Sequence, residues 1–123
     1  MSYNVTRWKV KKLDNLCIPL ASFYKHPRKD WHPEREDLDD DGSVLLVGLE
    51  GTRIRGQLQD GIVRVEEIEC RSEGSGVFMD WILLPALKDS TGELVVSLIW
   101  EGGDRIQRMT AKDGAVAFED IEL

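Results

Sequence analysis

Hydrophobic and polar residues alternate along most of this chain, and short glycine-centred turns interrupt the alternation. TRIRGQLQ (52–59) and IVRVEEIEC (62–70) flank Asp60-Gly61, and similar runs flank Asp113-Gly114. Asp-Gly is a preferred pair for the two-residue type I′ turns that join antiparallel strands. The pattern therefore predicts a mainly β protein built from hairpins.

A two-residue turn also fixes which residues face each other across the hairpin. The two turns predict opposed pairs of matching character: Leu58 with Val63, Arg55 with Glu66, Met109 with Phe118, Arg108 with Glu119, and Arg105 with Glu122. Apolar side chains meet apolar ones and opposite charges meet, as cross-strand energetics favour. This agreement supports the turn assignments because it was not used to make them.

Residues 94–123 extend the last register into a three-stranded meander. Its predicted core face consists of Leu94, Val96, Leu98, Met109, Val116 and Phe118. The opposite face is polar except for a lateral row of Ile99, Ile106 and Ile121. A row of isoleucines on a polar face needs a cover. We therefore predict an interface here, with another sheet, a barrel closure or the second subunit of a homodimer.

Further strands are predicted at NVTRWKV, NLCIPLASF, VLLVGL (44–49) and VFMDWILL (77–84). Trp8 and Trp81 lie in these strand patterns and Trp100 lies in the meander, and all three are predicted core or barrel-end residues. The successive Glu66 and Glu67 shift the alternation of their strand, which indicates a β-bulge or, alternatively, a helical turn. About nine short strands at this spacing predict one domain, residues 1–123, that is an antiparallel barrel or sandwich.

Composition restricts the classes of partner. The chain has 123 residues, 41% of them hydrophobic, and a net charge of −7. An acidic surface argues against binding to the nucleic-acid backbone. No apolar run is long enough for a membrane span, and the N-terminus lacks the apolar region of a signal peptide. With Cys17 and Cys70 as its two cysteines, both predicted to be buried thiols, the protein is expected to be cytoplasmic.

The segment from residue 24 to residue 42 has neither a strand nor a helix period, and we predict a long acidic loop over 25–42. Residues 30–41 carry seven carboxylates against Arg35, a local charge of −6. Tryptophan is a frequent anchor of protein interfaces. The predicted binding residues are Trp31, His32, Glu34, Glu36, Asp37, Asp39, Asp40 and Asp41.

The same loop suggests a cation site. Asp37, Asp39, Asp41 and the glycine that follows match the first half of a calcium loop. The second half differs, because Gly48 occupies the position of the usual bidentate glutamate and Glu50 comes two residues late. A calcium-binding β module is therefore an alternative. Two histidines in the loop, each before a proline, make a weaker case for zinc.

Catalytic motifs do not emerge from the sequence. No serine lies in a nucleophile elbow, no phosphate-binding loop is present, and adjacent carboxylates on a strand point to opposite faces. We therefore predict a noncatalytic protein-binding or inhibitory module, without a cofactor, that presents the acidic loop to a basic protein partner. A small enzyme with its site at the barrel mouth is the remaining alternative.

Overall fold

The computed structural model describes residues 5–39, 41–69, 77–100 and 106–121, which form one antiparallel sheet of eight strands. The strands are β1 (Val5–Pro19), β2 (Glu34–Asp37), β3 (Ser43–Val47), β4 (Arg53–Gln59), β5 (Ile62–Glu69), β6 (Thr91–Trp100), β7 (Ile106–Lys112) and β8 (Ala115–Ile121). Their order across the sheet is β2-β3-β4-β5-β1-β6-β7-β8. The mainly β prediction is confirmed. Within the described residues, however, the sheet is not closed into a barrel.

The long strand β1 lies inside the sheet and pairs with β6 along most of its length and with β5 near its end. The sequence predicted two strands here. A break in the alternation caused that error: Asn15 adopts a positive φ of 49°, and the register with β6 shifts between Asp14 and Cys17. A bulge of this kind changes the phase of the pattern without ending the strand. Cys17, predicted to be buried, is a half-buried free thiol.

Both Asp-Gly turns form as predicted. Leu58 pairs with Val63, Met109 with Phe118, and Arg108 with Glu119. Arg55 faces Glu67 instead of Glu66, because the strands slip by one residue next to Arg55. That slip is the predicted bulge, and it moves the opposite charge by one position. The predicted pair of Arg105 and Glu122 lies outside the described residues.

A helical segment covers the inner face of the sheet. VFMDWILL, predicted to be a strand, forms a π-helix over Phe78–Leu83 that continues into the short helix α1 (Leu84–Leu87). Its buried side chains recur at helical spacing: Phe78, Met79, Ile82, Leu83, Ala86 and Leu87. Pro85 stands where the π-helix passes into α1. The strand prediction was wrong because a short apolar run fits a buried helix equally well.

The core lies between this helical segment and the inner face of the strands. It includes Leu16, Ile18, Leu46, Ile54, Val63, Leu94, Val96, Leu98 and Met109, together with Phe23 from the 3₁₀ turn after β1. Trp8 and Val10 pack against this core, on the predicted side of β1. Phe118 was also predicted to be a core residue, but its side chain is 47% exposed. It belongs to β8, an edge strand with a neighbouring strand on one side only.

Candidate binding surface

The acidic segment is partly built into the sheet. The strands β2 and β3 pair as a hairpin at one edge of the sheet, and we call residues 34–39 and 41–47 the acidic hairpin. The Leu38 amide donates a hydrogen bond to the Ser43 carbonyl at 2.9 Å, and the Leu58 amide donates to the Gly42 carbonyl at 2.7 Å. The long loop predicted over 25–42 is therefore wrong for residues 34–37, which form a strand.

Sequence periodicity did not reveal β2 because all four of its residues, ERED, are charged and exposed. The strand is held by its backbone pairing to β3, whose central residues are buried in the core. Charged side chains are typical of edge strands, since they discourage unwanted extension of the sheet. The result is a row of Glu34, Arg35, Glu36 and Asp37 along one border of the molecule.

The aspartates that resemble a calcium loop hold the hairpin turn instead. The Ser43 amide and hydroxyl donate to Asp41 Oδ1 at 3.1 and 2.9 Å, and the Asp41 amide donates to Asp39 Oδ1 at 3.2 Å. Arg35 Nε lies 2.9 Å from Asp37 Oδ1. A hydrogen bond shared with the Asp39 carboxyl group and hydrogen bonds donated by Ser43 hold the pKa of Asp41 below its usual value.

No cation site is assembled in the part of the chain that the structure describes. There, no group of three or more histidine, cysteine, aspartate or glutamate side chains is arranged to hold a metal ion. Asp37, Asp39 and Asp41 are therefore not brought together as ligands. Asp40 lies outside the described residues. The calcium alternative gains no support from this geometry.

A cluster of aromatic rings lies just before the acidic hairpin in the chain. We call Tyr24, His26, Trp31, His32 and Trp81 the aromatic cluster. The ring centroids of His26 and Trp31 are 4.5 Å apart, those of His26 and Trp81 are 5.9 Å apart, and those of Tyr24 and His32 are 5.4 Å apart. Trp31 is half-buried against the core, whereas 56% of Trp81 is exposed. The cluster thus joins a fixed ring to a ring that faces solvent.

Backbone and cation contacts fix the shape of this cluster. His26 Nδ1 accepts a hydrogen bond from the Arg28 amide at 3.0 Å, and His32 Nε2 contacts the His26 carbonyl. The Arg28 guanidinium lies 4.5 Å from the centre of the Trp31 ring. Its Nη2 also lies 2.7 Å from Asp30 Oδ2, and this hydrogen bond lowers the pKa of Asp30. An arginine over a tryptophan face is a favourable cation–π contact.

The aromatic cluster and the acidic hairpin are neighbours on the surface. Trp31 ends a 3₁₀ turn, and only His32 and the buried Pro33 separate it from the start of β2 at Glu34. Burial raises the pKa of Tyr24, and the charge of Arg35 on β2 acts in the opposite direction. Aromatic rings therefore border a row of carboxylates.

The sequence analysis identified Trp31 and His32 as candidate binding residues but did not identify their neighbours Trp81 and His26. Trp81 was assigned to a buried strand, and the π-helix places it on the outside. Helical spacing could have shown this, since Phe78, Ile82 and Leu83 share the buried side and Trp81 does not. His26 was considered only as a weak zinc ligand. Its stacking against Trp31 depends on the turn geometry, which no local pattern encodes.

The predicted interface row of isoleucines lies in register. Ile99 pairs with Ile106, which pairs with Ile121, across β6, β7 and β8. The three half-buried side chains line a groove of about 340 Å³ on the outer face of the sheet, with Ser97, Lys9, Lys11 and Arg108 around it. This groove has an apolar floor and a basic rim. Whether it is an interface remains a prediction at this point.

The outer face of β3, β4 and β5 has a second depression, of about 240 Å³, lined by Leu45 and by two arginines and two glutamates. Register places the charges in opposed pairs, Arg53 with Glu69 and Arg55 with Glu67. Opposite charges in facing positions stabilise a sheet. The barrel mouth at which an enzyme site was predicted does not occur in the described, open sheet.

No family model, curated protein or solved structure matches this chain. Among the described residues, no helix is both long and apolar enough to cross a membrane.

Proposed function

We propose that this protein is a noncatalytic protein-binding module that presents the aromatic cluster and the acidic hairpin to a basic protein partner. One observation carries the proposal: Trp81 is 56% exposed and packs on His26, in an aromatic cluster whose Trp31 comes just before a fully charged edge strand. A large exposed ring in a fixed setting has no evident role in stabilising the fold. It is the kind of residue that anchors an interface.

The two parts of the surface contribute in different ways. Tryptophans at interface centres are energetic hot spots, and truncating one commonly costs at least ~2 kcal/mol of binding free energy. Rim charges act mainly on the association rate and on its salt dependence. Trp81 and Trp31 are therefore expected to supply affinity. The carboxylates of β2 and the loop are expected to attract a partner of opposite charge.

The choice of a basic partner follows from charge. The protein carries a net −7, and residues 30–41 hold −6 of local charge around Arg35. Lysine-rich and arginine-rich surfaces are complementary to such an edge, whereas acidic ones are repelled. An inhibitory role is compatible with this surface if the partner's basic region is its own functional site.

The test is capture of partners from a lysate by immobilised variants. Trp81→Ala removes the exposed ring, and Glu34→Gln with Glu36→Gln removes charge from β2 without touching the hydrogen bonds of the turn. Phe118→Ala is the matched control, since this aromatic residue is 47% exposed at the other edge of the sheet. Quantitative mass spectrometry identifies what each variant retains.

We expect Trp81→Ala to reduce capture of a basic protein by more than about tenfold, as loss of a hot spot implies. The double glutamine variant should slow association and weaken its salt dependence, and Phe118→Ala should behave like the unmodified protein. The variant with Asn at Asp37, Asp39, Asp40 and Asp41 should also lose capture. Equal capture by all these variants, or capture of acidic proteins, would contradict the proposal.

A further inference from the structure

The groove on the outer face of β6, β7 and β8 combines two features that select a ligand. Its floor is the row of Ile99, Ile106 and Ile121. Its rim carries Lys9 and Lys11 from β1 and Arg108 from β7. A suitable ligand therefore needs an apolar side chain and negative charge around it.

The positive charge of the rim is only partly neutralised by the described carboxylates. Arg108 Nη1 lies 4.0 Å from Glu119, an exposed and distant pair that neutralises it incompletely. Among the described residues, no carboxylate comes within ion-pair distance of Lys9 or Lys11, in contrast to Lys12, whose Nζ lies 3.1 Å from Glu93. Two lysines are thus available to an acidic ligand at the edge of an apolar floor.

The chain itself contains a segment with the complementary features. Leu38 is 46% exposed in the turn of the acidic hairpin. Asp37 and Asp39 flank it, and Asp41 follows close behind. An exposed leucine among carboxylates matches an isoleucine floor among lysines, both in polarity and in sign of charge.

We infer that the groove of one copy of this protein binds the acidic hairpin of a second copy, with Leu38 on the isoleucine row and the aspartates near Lys9 and Lys11. The inference rests on the proposed function, because it takes the acidic hairpin as a binding element and names one basic surface that it recognises. The predicted homodimer interface thereby becomes one half of a head-to-tail contact.

Topology requires the contact to be intermolecular. The hairpin belongs to β2 and β3 at one end of the sheet, whereas the isoleucines belong to β6, β7 and β8 at the other. A symmetric dimer that stacks groove on groove is disfavoured, because it brings together Lys9 and Lys11 of both copies. The contact is therefore heterologous, and such contacts form rings or open chains.

Complementary variants test this geometry. The groove variant is Lys9→Glu with Lys11→Glu, which reverses the rim charge. The hairpin variant is Leu38→Lys, which removes the apolar contact and adds a positive charge at an exposed position. Ile62→Lys is the control, since Ile62 is another exposed apolar residue, at 44%, on a different strand. Sedimentation velocity at low ionic strength reports the mass of each protein and of mixtures.

The unmodified protein should form assemblies of two or more copies that grow with concentration and dissociate in salt. Each test variant alone should weaken self-association by at least about tenfold, as expected for loss of a central contact. An equimolar mixture of the two should form dimers and stop there, because one intact hairpin and one intact groove remain. The Ile62→Lys control should assemble like the unmodified protein.

Three results would overturn the inference: an unmodified protein that stays monomeric at all concentrations, self-association that neither test variant alters, or a mixture that remains monomeric. These results leave the proposed function intact if Trp81→Ala still loses capture of a basic protein. Conversely, the mixture of groove and hairpin variants could form dimers while neither Trp81→Ala nor the glutamine variant changes capture of a basic protein. That combination of results would contradict the proposed function and leave the self-association inference standing.

Discussion

Replacement of Gly92 by alanine should destabilise the fold strongly, because the backbone of β1 passes directly over this residue. Gly92 has a φ of +88°, and a Cβ built on it would lie 2.0 Å from the carbonyl oxygen of Asn15. Ordinary contact at a Cβ begins at 3.4 Å. The Asn15 carbonyl, part of the bulge in β1, would therefore have to move by more than an ångström.

Gly61 supplies the matched control. Its φ of +75° is similar, but no atom lies within 4 Å of a Cβ added there. Left-handed backbone costs an L-residue about 1–2 kcal/mol, and the reduced entropy of the unfolded chain offsets about 0.4–1 kcal/mol of that. Gly61→Ala should therefore lower the free energy of unfolding by ~1 kcal/mol. Gly92→Ala adds the cost of displacing packed backbone, about 1–3 kcal/mol, for a total near 2–4 kcal/mol.

Urea unfolding followed by circular dichroism measures both differences, and thermal unfolding checks them. At roughly 4 °C per kcal/mol for a domain of this size, we expect the melting temperature to fall by about 8–16 °C for Gly92→Ala and ~4 °C for Gly61→Ala. If the two variants lose the same free energy of unfolding to within about 0.5 kcal/mol, the size of a typical surface effect, the close approach of β1 and β6 at Gly92 is refuted.

Two further predictions concern the cover of the sheet and its charges. Phe78→Ala leaves a cavity at a buried position in the π-helix and should lower the free energy of unfolding by about 3–5 kcal/mol. Phe118→Ala should lower it by less than ~1 kcal/mol, because about half of this residue is already exposed to water. Equal losses for the two variants in urea titrations would contradict the position of the helical cover. The Lys25 ammonium and the Ser22 hydroxyl lower the pKa of Asp89 in the folded protein. The ionised Asp89 therefore stabilises the fold at any pH above the ordinary carboxyl pKa. This stabilisation is lost as the pH falls through the pKa of Asp89 in the folded state. Asp89→Asn should therefore reduce the melting temperature at neutral pH, with the difference closing in acid, and a difference that persists in strong acid would contradict this assignment.

The parts of the fold that the sequence predicted are those that depend on local chemistry. Asp60-Gly61 and Asp113-Gly114 adopt the positive φ values that a type I′ turn requires. The register of two hairpins follows from that choice, and so does the pairing of Ile106 with Ile121. The helical segment depends on a different kind of information. VFMDWILL forms a helix that packs on the inner face of strands distant from it in sequence. A short apolar run gives no information about such packing, because it fits a strand and a buried helix equally well.

The candidate surface was also predictable only where it depends on local chemistry, and the prediction missed the parts that depend on tertiary packing. Trp31 and His32 could be nominated from their composition and position alone, whereas Trp81 reaches them only once the π-helix has turned it outward. The carboxylates of β2 were correctly expected to be exposed, yet the strand that aligns them is invisible to a periodicity argument. The pairing of β2 with β3 is a tertiary contact, and the four successive charged residues of β2 give no periodic pattern that predicts it.

The aspartates after β2 show how one local pattern can serve two structures. A carboxylate at every second position can ligate calcium, and it can equally accept hydrogen bonds from nearby amides in a tight turn. Asp39 and Asp41 are used in the second way. The residue that separates the alternatives is Gly48, which replaces the expected glutamate. A Cβ at Gly48 would lie 2.5 Å from the Phe78 ring. Packing against the helical cover therefore favours a glycine at the position where a calcium loop has a glutamate ligand.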